Sequence, residues 1–357
     1  MPSPTRVLLV GAGHMGTSHG RAYQAIVGFE LCGIMTRGES GARLAAELGD
    51  QVPHFRDFDD ALAATAPDAV AIASFTETHV PYATKALNAG CHVFVEKPLA
   101  ATVSEADDLI DLARQRSRIL VVGYILRHHP SWQAFVELAH DLGKPLVMRM
   151  NLNQQSDGPE WATHKAIMAT TSPIVDCGVH YVDVMAQMTR AQALRVHAIG
   201  TRLASDIAPD MYNYGQLQVT FDDGSIGWYE AGWGPMMSET AFFIKDVIGP
   251  NGAASIESGL DESAAGSADV DTHTTTNMIR RHFAEVDDYG RMRRSDELFR
   301  SDDEPDHDQL CQREQEWFLA AINGQADITQ HLADVVDSMK IVLAADQSIR
   351  NGTVVDL

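Results

Sequence analysis

Short β-rich apolar runs alternate with helical patterns through the first third of the chain. Residues 7–10, 30–35, 69–73, 92–95 and 119–122 read as strands. Residues 14–26, 40–48, 58–65, 80–89 and 104–115 carry helical spacing between them. Gly90 supplies a stop for the fourth helix, and Ser104 with Glu105 a start for the fifth. The strands are continuous apolar runs, as a sheet covered on both faces requires. Their alternation with helices predicts right-handed crossovers and a parallel, doubly wound sheet.

The pattern changes near Gly123. Helical spacing at 130–142 and 172–189 flanks a strand-like 146–153, and further strand-like runs follow at 195–201, 214–221, 225–231 and 241–248. Asp222-Asp223-Gly224 joins two of these with hairpin chemistry. Strands in series joined by tight turns predict a large, mostly antiparallel open sheet. Residues 255–308 are acidic and poorly periodic, so a partly ordered surface excursion is expected there, before helices at 309–322 and 331–350. The expected architecture is α/β plus α+β, with a doubly wound domain at 1–123 and a second α+β domain at 124–357.

Composition narrows the functional classes. At 357 residues and 45% apolar content, the chain can bury two cores. A formal charge of −22 repels nucleic-acid phosphates and anionic membranes, which argues against both as partners. No apolar run is long enough to cross a bilayer and the N-terminus has no leader pattern, so a cytoplasmic location is expected. Cys32, Cys91, Cys177 and Cys311 form no close pair of metal or redox spacing and are expected to be reduced and mostly buried.

Gly11-Ala12-Gly13-His14-Met15-Gly16 fits G-x-G-x-x-G between the first strand and the first helix. Gly11 allows the tight turn, Gly13 the approach of a pyrophosphate, and Gly16 close packing of the helix. Free N–H groups and the helix dipole then face the phosphates. This context predicts a Rossmann domain holding a nicotinamide dinucleotide. An acid after the second strand would bind the ribose of NAD. The chain has Thr36-Arg37 there, which favours NADP with NAD as the alternative.

Two constellations carry chemistry. Glu96-Lys97-Pro98 closes the fourth parallel strand, where ligands of such sheets bind. Asp176 and His180 lie four apart on one expected helix, capped by Ser172 with Pro173 in its first turn. A carboxylate beside an imidazole suits a general base, with Asp183 able to brace the ring from the other side. The plain alternatives are a surface lysine, and a capping acid beside a packed histidine.

The order GAGHMG, Thr78-His79, GCHVFVEKPLA and DCGVHYVD resembles the Gfo/Idh/MocA oxidoreductases, which include glucose–fructose oxidoreductase and inositol dehydrogenases. The resemblance runs on to the Glu314-Gln315-Glu316-Trp317-Phe318 helix and the closing Gly352-Thr353-Val354-Val355. It implies interconversion of a secondary hydroxyl and a ketone on a sugar, sugar derivative or cyclic polyol. It implies Lys97, Asp176 and His180 as catalytic residues, His180 exchanging the hydroxyl proton and Lys97 steadying the oxyanion. It implies cofactor contacts from Gly11, Gly13, His14, Met15, Gly16, Thr36, Arg37, Ser74, Thr76, His79, Glu96 and Lys97. Arg127, His128, His129, Trp161 and His164 are placed by it around the substrate, and a homodimer or homotetramer through the C-terminal sheet is implied. Thr170-Thr171-Ser172-Pro173 departs from the glycines that relatives often have there, and Thr36 from the Asp of NAD-using relatives. A metal site is not expected, since lysine and cofactor supply the positive charge. The other readings are a reductase of a non-sugar carbonyl and a catalytically silent, cofactor-bound sensor.

Overall fold

A computed structural model describes residues 3–49, 51–238, 243–257, 266, 267, 274, 276, 278–301 and 304–357. The chain divides into two compact units. The first comprises Met1–Ile125 with Pro305–Val336, and the second Leu126–Glu304 with Asp337–Leu357.

In the first unit, six strands form one parallel sheet. They are β1 (Thr5–Val10), β2 (Phe29–Met35), β3 (His54–Phe55), β4 (Ala69–Ile72), β5 (His92–Glu96) and β6 (Leu120–Gly123). Their spatial order is β3-β2-β1-β4-β5-β6, so the chain reverses direction between β1 and β4. That reversal is where a doubly wound sheet opens a crevice at its carboxyl edge. Val7 to Val10 and Ala69 to Ile72 are at most 1% exposed, as the continuous apolar runs require. The crossover helices are α1 (His14–Ala25), α2 (Ser40–Leu48), α3 (Phe58–Thr65), α4 (His79–Asn88) and α5 (Val103–Arg116). The start of α5 differs from expectation. Thr102, not Ser104, is its cap, accepting the Glu105 N–H.

The expected boundary near Gly123 is incomplete. The helix His307–Ile322 belongs to the first unit, where Phe318 joins the core of Tyr23, Phe29 and Phe94. Periodicity shows that this helix has a buried stripe, but not which core receives it.

In the second unit, nine strands among the described residues form one sheet. They are β7 (Val147–Gln154), β8 (Ala193–Thr201), β9 (Tyr214–Phe221), β10 (Ile226–Trp233), β11 (Lys245–Gly249), β12 (Gly252–Glu257), β13 (Met278–Phe283), β14 (Glu297–Phe299) and β15 (Val355–Asp356). Among the described residues only β7 and β10 pair in parallel; the other neighbours are antiparallel. The Asp222-Asp223-Gly224 turn does join β9 to β10, with Gly224 at φ +81°. Residues 241 and 242 of the expected strand 241–248 lie outside the described residues.

The segment 255–308 is a correction. Two strands within its span, β13 and β14, and the end of β12 extend the sheet, although residues 258–265, 268–273, 275, 277, 302 and 303 lie outside the described residues. Met278–Phe283 and Glu297–Phe299 carry charges between their apolar positions and sit at the sheet edge. Their alternation is therefore too short and too exposed to register as a pattern.

One face of this sheet is buried. Met148, Met150, Leu217, Val219, Tyr229 and Val247 point into the core, beneath helices α6 (Pro130–His140) and α7 (Gly178–Thr189). The alternate positions Arg149, Ile199, Gln218, Ile226 and Ile248 face outward. No helix among the described residues is long and apolar enough to cross a membrane.

Candidate active site

The carboxyl ends of β1, β2, β4 and β5 carry the candidate residues of the first unit. Gly11 adopts φ +98°, and a Cβ there would lie 2.1 Å from the Ala73 carbonyl oxygen. A Cβ at Gly16 would lie 2.3 Å from the Gly11 oxygen. Both positions therefore exclude side chains, one for the turn and one for helix packing. Gly13 differs, because its Cβ would meet nothing within 4 Å. Gly13 also caps α1 with no side-chain hydrogen bond, and the first turn carries no acid. The helix thus presents uncompensated N–H groups beside a space kept open by a missing side chain. That geometry fits a dinucleotide pyrophosphate. His14 and Met15 open the helix at this point, with the His14 ring 5.1 Å from that of His307.

Beyond β2, Thr36 is used by the loop itself. Its hydroxyl donates to the Gly38 carbonyl at 2.9 Å and accepts the Gly41 N–H at 3.1 Å. A hydroxyl has one proton, so the His54 Nε2 at 2.9 Å is the donor of the third bond. Thr36 therefore shapes the loop, while the exposed Arg37 presents its guanidinium, 3.3 Å from the Tyr82 hydroxyl. Arg56 bonds the Arg37 carbonyl at 3.0 Å and pairs with Glu39.

His79 ties two strand ends together. Its Nδ1 lies 2.8 Å from the Pro98 carbonyl and its Nε2 2.9 Å from the Ser74 carbonyl. Burial lowers its pKa, which opposes the second N–H that both carbonyls would reward. His79 is fully buried, so it braces the Ser74 and Lys97-Pro98 loops from behind. Ser74 donates to Thr78, whose hydroxyl donates to the Phe75 carbonyl, and this holds the short helix that Thr76 begins. Glu96 accepts the Lys97 backbone N–H at 3.2 Å on one oxygen. The other oxygen lies 2.7 Å from His19 Nε2.

In the second unit, the expected helix over 172–189 is broken. Pro173–Asp176 and Gly178–Thr189 meet at Cys177, where the His180 N–H bonds the Cys177 carbonyl at 3.2 Å. A Cβ on Gly178 would come within 3.2 Å of Tyr229 and Val342 side chains, so glycine lets the second helix seat closely. The Thr170–Pro173 stretch keeps its cap: Ser172 Oγ accepts the Val175 N–H. Asp176 and His180 are both partly exposed at this break, while Val175, Cys177, Gly178 and Val179 are buried.

A rigid floor lies nearby. The His164 ring stacks on Trp233 at 4.4 Å and 6°, and its Nδ1 lies 2.9 Å from Ser156 Oγ. Burial pushes His164 down to about 4, against the charge of Asp176. Gln154 accepts the Trp233 indole N–H at 2.7 Å. The expected Trp161 is 9% exposed and donates to Asp206 at 3.3 Å. Asp183 receives Arg127 in a bidentate pair at 2.8 and 2.5 Å, with Gln187 on the same carboxylate at 2.9 Å. His128, next to Arg127, is pushed down to about 4 by burial and then by that charge. His129 caps α6 by accepting the Ser131 N–H. Gln154 and Trp233 were not read from the sequence. The signal was there in the polar Asn151, Asn153 and Gln154 of β7, which are at most 6% exposed.

All four cysteines are free and buried. Burial holds the Cys91 thiol up at about 11, well out of the reactive range.

Residues 5–124 match the Gfo/Idh/MocA family model described as an oxidoreductase family with an NAD-binding Rossmann fold. Residues 138–245 match the C-terminal domain of the same family. The chain is 32% identical over 204 residues to UDP-N-acetylglucosamine 3-dehydrogenase of Acidithiobacillus ferrooxidans, a match that spans 57% of this chain and 60% of that protein. It is 26% identical over 274 residues to D-glucoside 3-dehydrogenase of Escherichia coli, spanning 71% of this chain and 77% of that protein. In fold, it superposes on GenD2 from gentamicin A biosynthesis, a structure in complex with NAD, with a TM-score of 0.77 at 23% identity over 100% of this chain and 97% of that one. With two models of one family matching residues 5–124 and 138–245 in order, this chain belongs to the Gfo/Idh/MocA oxidoreductase family.

Proposed function

We propose that this protein is a nicotinamide-dependent oxidoreductase that interconverts a secondary hydroxyl and a ketone on a sugar, sugar derivative or cyclic polyol. The observation that carries this reading is the open space at Gly13, beside the uncapped start of α1, in a chain whose relatives are sugar dehydrogenases. Gly11, Gly13, Gly16 and the α1 N-terminus hold the pyrophosphate. The bound nicotinamide supplies the hydride acceptor, or the donor in the reverse direction. His180 takes the proton of the reacting hydroxyl and returns it to the alkoxide in reverse. Asp176, four residues before it, orients that imidazole. Lys97 is the cation that stabilises charge on the reacting oxygen. His164 and His128, both held neutral by burial, offer ring nitrogens to sugar hydroxyls.

Of the two dinucleotides, NADP fits better. No carboxylate occupies the Thr36-Arg37 position, and the Arg37 guanidinium is exposed there for a 2′-phosphate. A second copy of the chain covers the outward face of the nine-stranded sheet. Ile199, Ile226 and Ile248 are 54%, 46% and 39% exposed on it, which supports this reading. The enzymatic test uses purified protein with NAD or NADP and a panel of UDP-N-acetylglucosamine, glucosides and inositols. Cofactor reduction with at least one member is expected. Tight cofactor binding without reduction by any polyol, and without oxidation by any keto-sugar, would favour the sensor instead.

A further inference from the structure

Behind the Lys97 loop, the first unit buries a polar cluster that the reaction above does not use. His19, Tyr23, Glu314 and Gln315 are at most 1% exposed, and Glu96 is 6% exposed. Their hydrogen bonds have a direction. The Tyr23 hydroxyl donates to Gln315 Oε1 at 2.5 Å, which turns the Gln315 amide N–H toward His19 Nδ1 at 3.1 Å. Nδ1 therefore accepts, and the ring proton sits on Nε2, facing Glu96 Oε1 at 2.7 Å. The other Glu96 oxygen accepts the Lys97 N–H. Glu96 thus fixes the backbone of the residue that carries the cation.

Glu314 stands at this hub without a hydrogen-bond donor. Neither of its oxygens has a hydrogen-bond partner among the described residues. Ligand-type atoms of His19, Glu96 and Glu314 all lie within 4.8 Å of one another. Two ionised carboxylates this close in a dry core repel strongly, and burying an unpaired charge is costly in itself. Two remedies exist, a cation or a proton. A cation would need the His19 Nε2 lone pair, and the hydrogen-bond chain places a proton there.

We propose that Glu314 is a buried carboxylic acid, neutral beside the ionised Glu96 so that the two do not repel, and that it acts in this way as a positioning residue for Lys97. Burial and then the Glu96 charge push Glu314 well above the usual carboxylate range. The groups that face it are His19 and Tyr23 from α1, Glu96 from β5, and Cys311 from its own helix. None of these brings a compensating positive charge, because the His19 ring is neutral in this chain of bonds. The positioning role rests on the reading of Lys97 given above; the protonation state does not.

Two variants and two readouts test this. Infrared spectroscopy of the full chain should show a protonated-carboxyl C=O band at neutral pH that disappears in Glu314→Gln. Glu314→Gln keeps a neutral donor, so its kcat should stay within about twofold and its pH profile unchanged. Glu314→Leu removes the donor at similar volume, and kcat should fall about tenfold with little change in the KM for cofactor. The protonated acid is overturned if the band is absent, if it persists in Glu314→Gln, or if metal analysis finds one divalent ion per chain. The positioning role is overturned if Glu314→Leu matches wild type in kcat and pH profile. If no substrate is turned over, the infrared result still decides the first half.

Discussion

Gly11 and Ala73 are locked together at the switch point of the parallel sheet: a Cβ on Gly11 would sit 2.1 Å from the Ala73 carbonyl oxygen. Two strand ends adjoin here without a side chain between them. Two residues on, Gly13 faces open space instead. The same motif therefore contains one glycine needed by the fold and another needed only by a ligand.

That contrast gives the first prediction. Gly11→Ala should destabilise the chain by roughly 1–3 kcal/mol, because it adds both a clash and an unfavourable φ. Gly13→Ala should unfold at the wild-type urea midpoint yet weaken dinucleotide binding at least about tenfold. Chemical denaturation and cofactor titration separate the two effects. Equal stability losses in both variants would contradict the assignment.

Arg37 tests cofactor choice. Arg37→Ala should raise the KM for NADPH about tenfold and leave that for NADH nearly unchanged. Thr36→Ala should act differently: it breaks the loop's internal bonds to Gly38, Gly41 and His54, and so should weaken both cofactors. Steady-state kinetics with each cofactor decides between these patterns.

His164 and His128 make stability depend on pH. Each has a folded pKa near 4, below the ordinary 6.5, so the unfolded chain binds more protons between those values. Stability is therefore full above about pH 6.5 and falls as pH drops toward 4. Each histidine accounts for up to ~3 kcal/mol of that loss. His164→Phe should flatten the fall, as read from urea midpoints across this range.

Much of this was legible from the sequence, and the reason differs by region. The parallel sheet announced itself because buried strands must be continuously apolar, and Gly11 because the tight turn it makes leaves no room for a side chain. The hairpin at Gly224 was legible through turn chemistry. The sheet's outer strands were not, since exposed edge positions carry no hydrophobic period. The break at Cys177 was hidden because helical spacing runs through it; the His180 N–H, bonded to the Cys177 carbonyl three residues back, reveals it. Glu314 was visible as a letter in a helix, but its burial against Glu96 needs the fold.

Lys245 is a cost visible only in three dimensions. It lies in β11 opposite Met150, inside the core, bonded to the Asn151 carbonyl, with the Tyr181 and Phe243 rings 5.0 and 4.5 Å from its nitrogen. Burial pushes it down to about 7 from 10.5. The unfolded chain therefore binds an extra proton between these values, and the penalty is full at and below pH 7 and shrinks as pH rises. Lys245→Met should stabilise the chain by ~1–4 kcal/mol at pH 7 and by less at pH 9. Paired urea titrations at the two pH values check the sign.

The central claim is proton exchange at His180 coupled to oxidation of a sugar or polyol hydroxyl. The most direct measurement compares wild type and His180→Ala for cofactor reduction on the best substrate of the panel, with cofactor affinity measured by fluorescence titration. With His180 as the proton-exchanging group, His180→Ala should lose about 10²–10⁴-fold in kcat with cofactor affinity unchanged. A variant that turns over as fast as wild type, or that loses cofactor binding in the same proportion, would contradict it.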